Sequence, residues 1–284
     1  MIQTLRIIIS VILLSALVYF GFITYKHSKN YEINTSQIAK ACDANGLASE
    51  RIDELTAIIS LGLVENESKI KLQQLKKEQT KSKEMAKINL YYFMGTLALT
   101  LLFTFICTLR GGAMLLSFAT FISLIYGLVN PILMVIIHKQ VDYLGDVILS
   151  FESKGIIGSI LKLYNSGELA VAFTILLFSI LLPAVKSLTL TFMLIFYEHP
   201  WNQKMVVFFK QIGKWSMIDV FVVATFLVYF TSNTGGISEA EIQVGLYFFL
   251  TYVILSMITA LQTQKVLDSK KSGSPKTLSL HSHP

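Results

Sequence analysis

The sequence predicts an all-α, polytopic membrane protein that crosses the bilayer about six times. Hydrophobic residues make up 53% of the 284 residues, charged residues make up only 15%, and the mean hydropathy is +0.60. The apolar residues form runs of about 20, the length that a helix needs to cross the hydrocarbon core. The lysines lie beside these runs and in the tail, where positive charge flanks membrane spans. The net charge of +6 therefore does not indicate nucleic-acid binding.

Residues 1–25 are expected to form an uncleaved N-terminal transmembrane anchor. No small-x-small pattern ends their apolar run, and Tyr19, Phe20 and Phe22 stand where a signal peptidase needs small side chains. The polar residues 26–87 follow, with apolar side chains recurring at helical spacing among lysines and glutamates. We interpret them as an extramembrane helical hairpin or short coiled coil, with docking of a partner as the alternative.

Five further apolar runs are long enough to be membrane spans. They are residues 88–109, 113–137, 169–197, 215–230 and 242–261. The short Arg110-Gly111-Gly112 sequence is expected to join the first two as a helical hairpin, and residues 138–168 to form a mixed loop. The tail, residues 266–284, is expected to be disordered.

The distribution of lysine and arginine predicts how these spans are oriented. The positive-inside rule puts the Arg110 turn, the lysine-rich loop 198–214 and the tail in the cytoplasm. Both termini are then cytoplasmic. The even number of spans puts residues 26–87 on the outer side of the membrane.

Three polar side chains inside or beside the spans stand out: Lys186, Asp219 and Ser256. An ionisable group in hydrocarbon costs about 3 kcal/mol or more unless it is paired or hydrated. Lys186 and Asp219 fall in the cytoplasmic halves of two neighbouring spans, where they are placed to pair. In the alternative interpretation Lys186 extends to the interface and Asp219 interacts with its helix dipole. Pro183 is expected to kink the Lys186 helix inside the bundle.

The sequence carries no signature of an enzyme or of a cofactor site. It has no glycine-rich phosphate loop, no G-x-S-x-G and no H-E-x-x-H, and its five histidines are scattered. The two cysteines, Cys42 and Cys107, are isolated, which leaves no C-x-x-C pair for a metal. We therefore expect neither catalysis nor a bound metal or cofactor.

The second half of the chain carries several motifs in the same order as a known protein family. They are Asn130-Pro131, LKLYNSGELAVAF, SILLPAVKSLTL with Pro183 and Lys186, KWSMIDVFVV with Trp215, Ser216, Met217 and Asp219, and GLYFFLTYVILSMITA. Through these motifs, residues 113–265 resemble the membrane domain of the paraquat-inducible protein A family, whose members include lipophilic envelope-spanning tunnel proteins. The W-S-M-x-D-V-F run is the most specific part of the resemblance.

The resemblance implies a four-helix module in the inner membrane of a double-membraned bacterium. It also implies a periplasmic partner with a mammalian-cell-entry (MCE) domain, which forms a tunnel for which the module loads or unloads lipid. Lys186, Asp219 and Ser256 match polar positions that line the central pocket of family members and serve lipid handling or proton coupling. Membrane lipid and an MCE-domain protein are thus the expected partners.

The chain departs from the family in its domain composition. Family members commonly carry two such domains, each preceded by a zinc ribbon of paired C-x-x-C motifs, whereas this chain has one domain and no ribbon. Metal binding is therefore not carried over, and assembly of two copies into a homo-oligomer stays open. Because residues 1–109 have no counterpart in the resemblance, a non-transporting scaffold that regulates an envelope complex through its periplasmic helices is the rival function.

Overall fold

A computed structural model describes residues 2–55, 64–141, 145–196 and 238–273 of the chain. Within these ranges, five helices are long and apolar enough to cross a membrane. They are Ile2–Ala39, Gln73–Thr104, Leu109–Val129, Leu169–Ile195 and Val244–Leu267. The predicted fold class, an all-α polytopic membrane protein, is confirmed. The sixth predicted span, residues 215–230, lies outside the described residues.

The first two helices form a long antiparallel hairpin. α1 (Ile2–Leu55) and α2 (Val64–Thr104) each continue without interruption across the boundary between apolar and polar sequence. At 1.5 Å per residue, α1 is about 80 Å long, far longer than a bilayer core is thick. Neither helix contains a proline that would interrupt it. At the predicted boundaries, residues 25 and 87, the side chains therefore change from apolar to polar along a continuous helix.

The turn between the second and third helices lies earlier than predicted. α2 ends at Thr104, and α3 (Leu109–Val129) follows Thr108, whose side chain caps it by accepting the N–H of Gly111 at 3.2 Å. The Arg110-Gly111-Gly112 sequence is the first turn of α3 and not the loop. The predicted span 88–109 was therefore too long at its end, because a threonine N-cap outweighs the turn preference of two glycines.

The predicted span 113–137 also ends early. Asn130 has extended backbone angles (φ −76°, ψ 150°), because the ring of Pro131 disfavours the helical conformation in the residue before it. The chain then forms two antiparallel strands, β1 (Leu133–Val141) and β2 (Gly145–Lys154). The short apolar run after the proline does not by itself distinguish a strand from a helix, which is why the prediction was wrong.

The strands belong to a small antiparallel sheet that the sequence analysis missed. β3 (Ser238–Ile242) pairs with β1, so that the strand order is β2-β1-β3. β3 leads directly into the last helix, α7 (Val244–Gly273), and the N–H of Gly245 donates to the carbonyl of Pro131 at 3.0 Å. The sheet thus joins the end of α3 to the beginning of α7.

Residues 138–168, which were expected to form an irregular loop, contain regular structure. After the strands comes α4 (Ile156–Asn165), and a turn at Gly167, whose φ of +83° favours glycine, leads to α5 (Leu169–Leu176). α4 fully buries only Ile156 and leaves Ile157, Leu161 and Tyr164 exposed. A short amphipathic helix of this kind is typical of the membrane surface.

The fourth described span consists of three consecutive helical segments. α5 passes into a π-helical turn (Leu177–Leu181), which passes into α6 (Leu182–Ile195). The guanidinium group of Arg110 donates to the carbonyls of Leu194 and Ile195, each at 3.3 Å. α6 therefore ends at the face of the bundle where α3 begins, and an arginine satisfies its last carbonyls.

α7 extends further than predicted. Its span was expected to end at residue 261 and a disordered tail to begin at residue 266, yet the helix continues to Gly273. Val266 is buried in a cluster with Ala113 of α3 and Leu194 of α6. This contact holds the last turns of α7 against its neighbours, and the polar composition of the tail does not reveal it. Residues 274–284 lie outside the described part of the chain.

α3 and α7 pack against each other with their backbones in close contact. A Cβ atom added to Gly127 would lie 2.9 Å from the Cα atom of Phe249, and one added to Gly245 would lie 2.5 Å from the carbonyl oxygen of Pro131. Glycines at such positions allow the close helix packing that membrane proteins use, because lipid supplies no hydrophobic driving force between helices.

We expect Gly127→Ala to destabilise the protein, because the added methyl group has to push α7 away from α3. Overpacking of this kind costs about 1–3 kcal/mol. The matched control is Gly95→Ala on α2, where nothing lies within 4 Å of the added Cβ and helix propensity should contribute about 1 kcal/mol of stability. Thermal unfolding in detergent measures both. A Gly127→Ala protein as stable as the Gly95→Ala protein would contradict the close contact.

Candidate functional site

Lys186 lies inside the helix bundle. It is on α6, about 14 Å along the helix from Ile195, and is only 3% exposed. Its Nζ donates a hydrogen bond of 3.1 Å to Oγ of Ser256 on α7, and this hydroxyl donates to the carbonyl of Val253 at 2.9 Å. The structure therefore brings together two of the three polar residues that the sequence singled out.

The side chain of Lys186 points to a neighbouring helix and does not run along the bundle surface towards the interface. This geometry does not fit the alternative in which Lys186 extends to water. Ser256 supplies one acceptor for an ammonium group that has three donors, and it is not the only group that Lys186 contacts. Asp219 lies outside the described residues, so its pairing with Lys186 stays a prediction.

The helix around Pro183 departs from regular α-helical geometry. The N–H of Leu182 donates to the carbonyl of Leu177, a bond of the π-helical type. The carbonyl of Pro183 accepts a hydrogen bond of 3.3 Å from the hydroxyl of Tyr252, a fully buried residue of α7. Single π-helical turns often occur at functional sites. This one lies one to two turns before Lys186 in the same helix.

Hydroxyl side chains surround this site, and the sequence analysis did not single them out. Eight hydroxyl residues of three helices are buried: Ser117, Thr120 and Ser123 on α3, Ser187 and Thr189 on α6, and Ser256, Thr259 and Thr263 on α7. Their helical spacing within apolar runs was a signal that could have found them. The three helices thus share a polar interior in place of a purely apolar one.

Some of these hydroxyls bridge helices, and others have no partner. Ser117 bonds to Thr191 of α6 at 2.7 Å, and Thr120 bonds to Thr259 of α7 at 2.9 Å. In contrast, the hydroxyls of Ser123, Ser187 and Thr263 are buried without a hydrogen-bond partner within the described part of the chain. The bridging pairs serve helix packing, whereas unpartnered buried hydroxyls can accept water or the polar group of a ligand.

Asn130 and Pro131 lie beside the beginning of α7, about 16 Å along that helix from Ser256. Asn130 caps α3, and its Nδ2 donates to the carbonyl of Tyr126 at 2.8 Å, while its Oδ1 has no partner among the described residues. Since Pro131 contacts Gly245, this motif fixes the joint between helix and sheet. Its geometry gives it a structural role and no part in the Lys186 site.

The remaining predicted positions fall outside the described ranges. The motif residues Trp215, Ser216 and Met217 belong to this group, as does the loop that precedes them. Within the described ranges no three His, Cys, Asp or Glu side chains come together in a way that could hold a metal ion. What the described site offers is one cation and several hydroxyls inside a membrane bundle.

Comparison with known protein families shows which family contains this site. A family model described as paraquat-inducible protein A matches residues 112–267, more than half of the 284-residue chain. The chain belongs to the paraquat-inducible protein A family. The predicted resemblance over residues 113–265 is thereby confirmed, and both Lys186 and Ser256 fall within the match. Neither a curated protein nor a solved structure matches the chain.

The match divides the molecule into a family domain, residues 112–267, and the hairpin that precedes it. It begins at the start of α3 and ends near Leu267, so that it covers the sheet, α4 to α6 and most of α7. α1 and α2 lie before it. The hairpin of α1 and α2, the added hairpin, therefore lies outside the matched domain that carries the Lys186 site.

We expect Lys186 and Ser256 to be energetically coupled, because their hydrogen bond lies in a nonpolar environment. A double-mutant cycle with Lys186→Met and Ser256→Ala should give a coupling energy of about 1 kcal/mol, measured by unfolding in detergent micelles. The control cycle combines Lys186→Met with Ser117→Ala, a buried hydroxyl that bonds to Thr191 instead. That control cycle should be additive, and a Lys186–Ser256 cycle that is equally additive would argue against the contact.

Proposed function

We propose that this protein is an inner-membrane subunit of an envelope lipid-transport system, which loads or unloads lipid for a periplasmic MCE-domain tunnel. The observation that carries the proposal is the ammonium group of Lys186, buried in a membrane bundle and bonded to Ser256. An ionisable group inside a membrane protein is costly and marks a binding site or a pathway. Family membership also supports a role in lipid transport, since the resemblance implies lipid handling at these positions.

In this proposal the protein is a carrier and not an enzyme. The ammonium group of Lys186 binds the phosphate of a lipid headgroup, and the unpartnered hydroxyls of Ser123 and Ser187 offer further hydrogen bonds. The acyl chains stay against the apolar outer surfaces of the helices. Protonation of Asp219 leaves the charge of Lys186 to the phosphate, and loss of that proton lets the carboxylate pair with Lys186 and release the headgroup.

The proposal assigns the two ends of the bundle to the two sides of the inner membrane. Ile2, the turn after Thr104 and the end of α6 share one end, which the positive-inside rule assigns to the cytoplasm. The sheet and the polar hairpin share the other end. From Lys26 to Leu55 the hairpin measures about 45 Å, long enough to meet a partner well away from the membrane.

Lys186→Met should abolish lipid transfer while the protein still inserts in the membrane. Methionine fills a similar volume without a charge, so the headgroup loses its cation and the rate should fall at least about tenfold. The measurement is pulse–chase transfer of labelled phospholipid between the two membranes of the native bacterium, normalised to the protein level in the inner membrane. Lys186→Arg should retain part of the activity, because it keeps the positive charge.

The matched control for that experiment is Lys162→Met. Lys162 belongs to the same family domain but lies on the exposed surface of α4. Its substitution removes one positive charge without affecting the bundle interior and should leave transfer unchanged. If Lys186→Met also transfers lipid at the normal rate, then the buried cation is structural and the transport proposal is wrong.

The rival function is a scaffold that acts through the hairpin, and the length of α1 and α2 favours it as a second candidate. It predicts that replacing residues 40–72 by a short loop between Ala39 and Gln73 abolishes function, although Lys186→Met does not. This deletion keeps Ala39 and Leu75, which pack against the cluster of Tyr31, Ile38 and Met134, so the family domain should still fold. Sensitivity of the cell envelope to detergent measures both variants. Full function of the shortened protein would contradict the scaffold.

A further inference from the structure

A cavity of about 340 Å³ lies where the added hairpin meets the family domain. α1, α2, β3 and the beginning of α7 line it. It is separate from the Lys186 site, which is about 16 Å further along α7.

The mouth of this cavity carries an excess of positive charge. Lys83 and Lys87 are one turn apart on α2. Lys83 forms a salt bridge with Glu241 of β3, and the hydroxyl of Tyr31 donates to the other oxygen of the same carboxylate at 2.7 Å. Lys87 has no acidic partner among the described residues. The cluster of two lysines and one glutamate therefore has a net charge of +1, which an anion would balance.

A buried hydrogen-bond donor lines the same cavity. Gln243 is 6% exposed, and its Nε2 has no acceptor within the described ranges. Its backbone is fixed, because its N–H donates to the carbonyl of Ile132 at 2.9 Å. The hydroxyl of Ser28 is likewise buried without a partner. Buried polar groups are almost always paired, so these two groups are available to hydrogen-bond a polar ligand in the cavity.

The position of the cavity along the helices indicates what kind of ligand it takes. Lys83 and Lys87 precede the apolar part of α2, whereas Leu90 and Met94 lie one and two turns into it. Tyr91 and Tyr247 line the cavity and are exposed, as expected of tyrosines in the interfacial region of a bilayer. The polar end of the cavity therefore lies at headgroup level and its apolar end at the level of the acyl chains.

We propose that this cavity binds one anionic phospholipid, with its phosphate on Lys87 and Gln243 and an acyl chain along Leu90 and Met94. The volume accommodates a headgroup and not a whole lipid, so the chains extend into the bilayer. A bound lipid would connect α2 to α7 and hold the hairpin against the family domain. The inference goes beyond the proposed function and does not depend on it, because none of these residues belongs to the Lys186 site.

The test uses the full chain with p-benzoylphenylalanine in place of Tyr91, which lines the cavity and is 73% exposed. The protein is placed in nanodiscs of phosphatidylcholine that contain a minority of phosphatidylglycerol, and the lipid adducts are identified by mass spectrometry after illumination. Phosphatidylglycerol should be enriched in the adducts. Lys87→Gln and Gln243→Leu should each lower the yield of that adduct about tenfold, because a charge-assisted hydrogen bond to phosphate contributes about that factor.

Two control variants show whether the adduct yield depends on the positive charge at the cavity or on the overall charge of the protein. Lys76→Gln removes an exposed lysine of α2 that does not line the cavity and should leave the adduct unchanged. Lys87→Arg keeps the positive charge and should retain it. Far-ultraviolet circular dichroism checks folding. If Lys87→Gln fails to fold, Gln243→Leu, which removes a donor at nearly constant volume, still decides the question.

Two outcomes would overturn the inference. Adducts in the bulk ratio of the two lipids that are unaffected by Lys87→Gln would mean that only annular lipid lies there. Displacement of phosphatidylglycerol by millimolar inorganic phosphate would mean that the cavity is a site for a soluble anion. Neither outcome affects the transport proposal, whose test is Lys186→Met, and normal lipid transfer in that variant leaves this cavity unaffected.

Discussion

The close contact between α3 and α7 is the constraint on which the rest of this structure depends. Gly127 lets the two backbones touch, and Gly245 receives the carbonyl of Pro131 at the end of α3. From this contact follow the pairing of β1 with β3 and the bond between Thr120 and Thr259. In a bilayer no hydrophobic driving force would restore such a contact once a side chain separated the helices. A single pair of glycines therefore governs both the sheet and the polar interior.

The family domain and the added hairpin meet through a different kind of interaction. Inside the membrane α1 and α2 pack on the domain with apolar side chains, in a core that includes Leu17, Phe93 and Phe248. Outside the hydrocarbon the joint is ionic, with Glu241 binding both Lys83 and Tyr31. The ionic joint fixes how the hairpin leaves the membrane, and its cost of desolvation is moderated because the groups remain partly hydrated.

The features that the sequence predicted are those that strongly change the free energy of a segment in lipid. The apolar runs identify five of the spans. Lys186 was found because a charge in hydrocarbon is costly unless it is paired or hydrated. The sequence did not predict the sheet, since the apolar run after Pro131 has no period that separates a strand from a helix. Nor could it join Lys83 to Glu241, because that contact connects distant parts of the chain. The hydroxyls on α3 and α7 were visible as a spacing, but only the fold shows that they face each other.

The hydroxyls and the lysine of the bundle differ in what they reveal about function. Thr120 and Ser256 donate to carbonyls of their own helices, so the fold can satisfy such side chains without a ligand. An ammonium group has three donors and a charge, and no helix can satisfy it internally. A methionine at position 186 would fill similar space, avoid the desolvation cost and pack among the same neighbours. The functional argument therefore rests on Lys186 far more than on the hydroxyls around it.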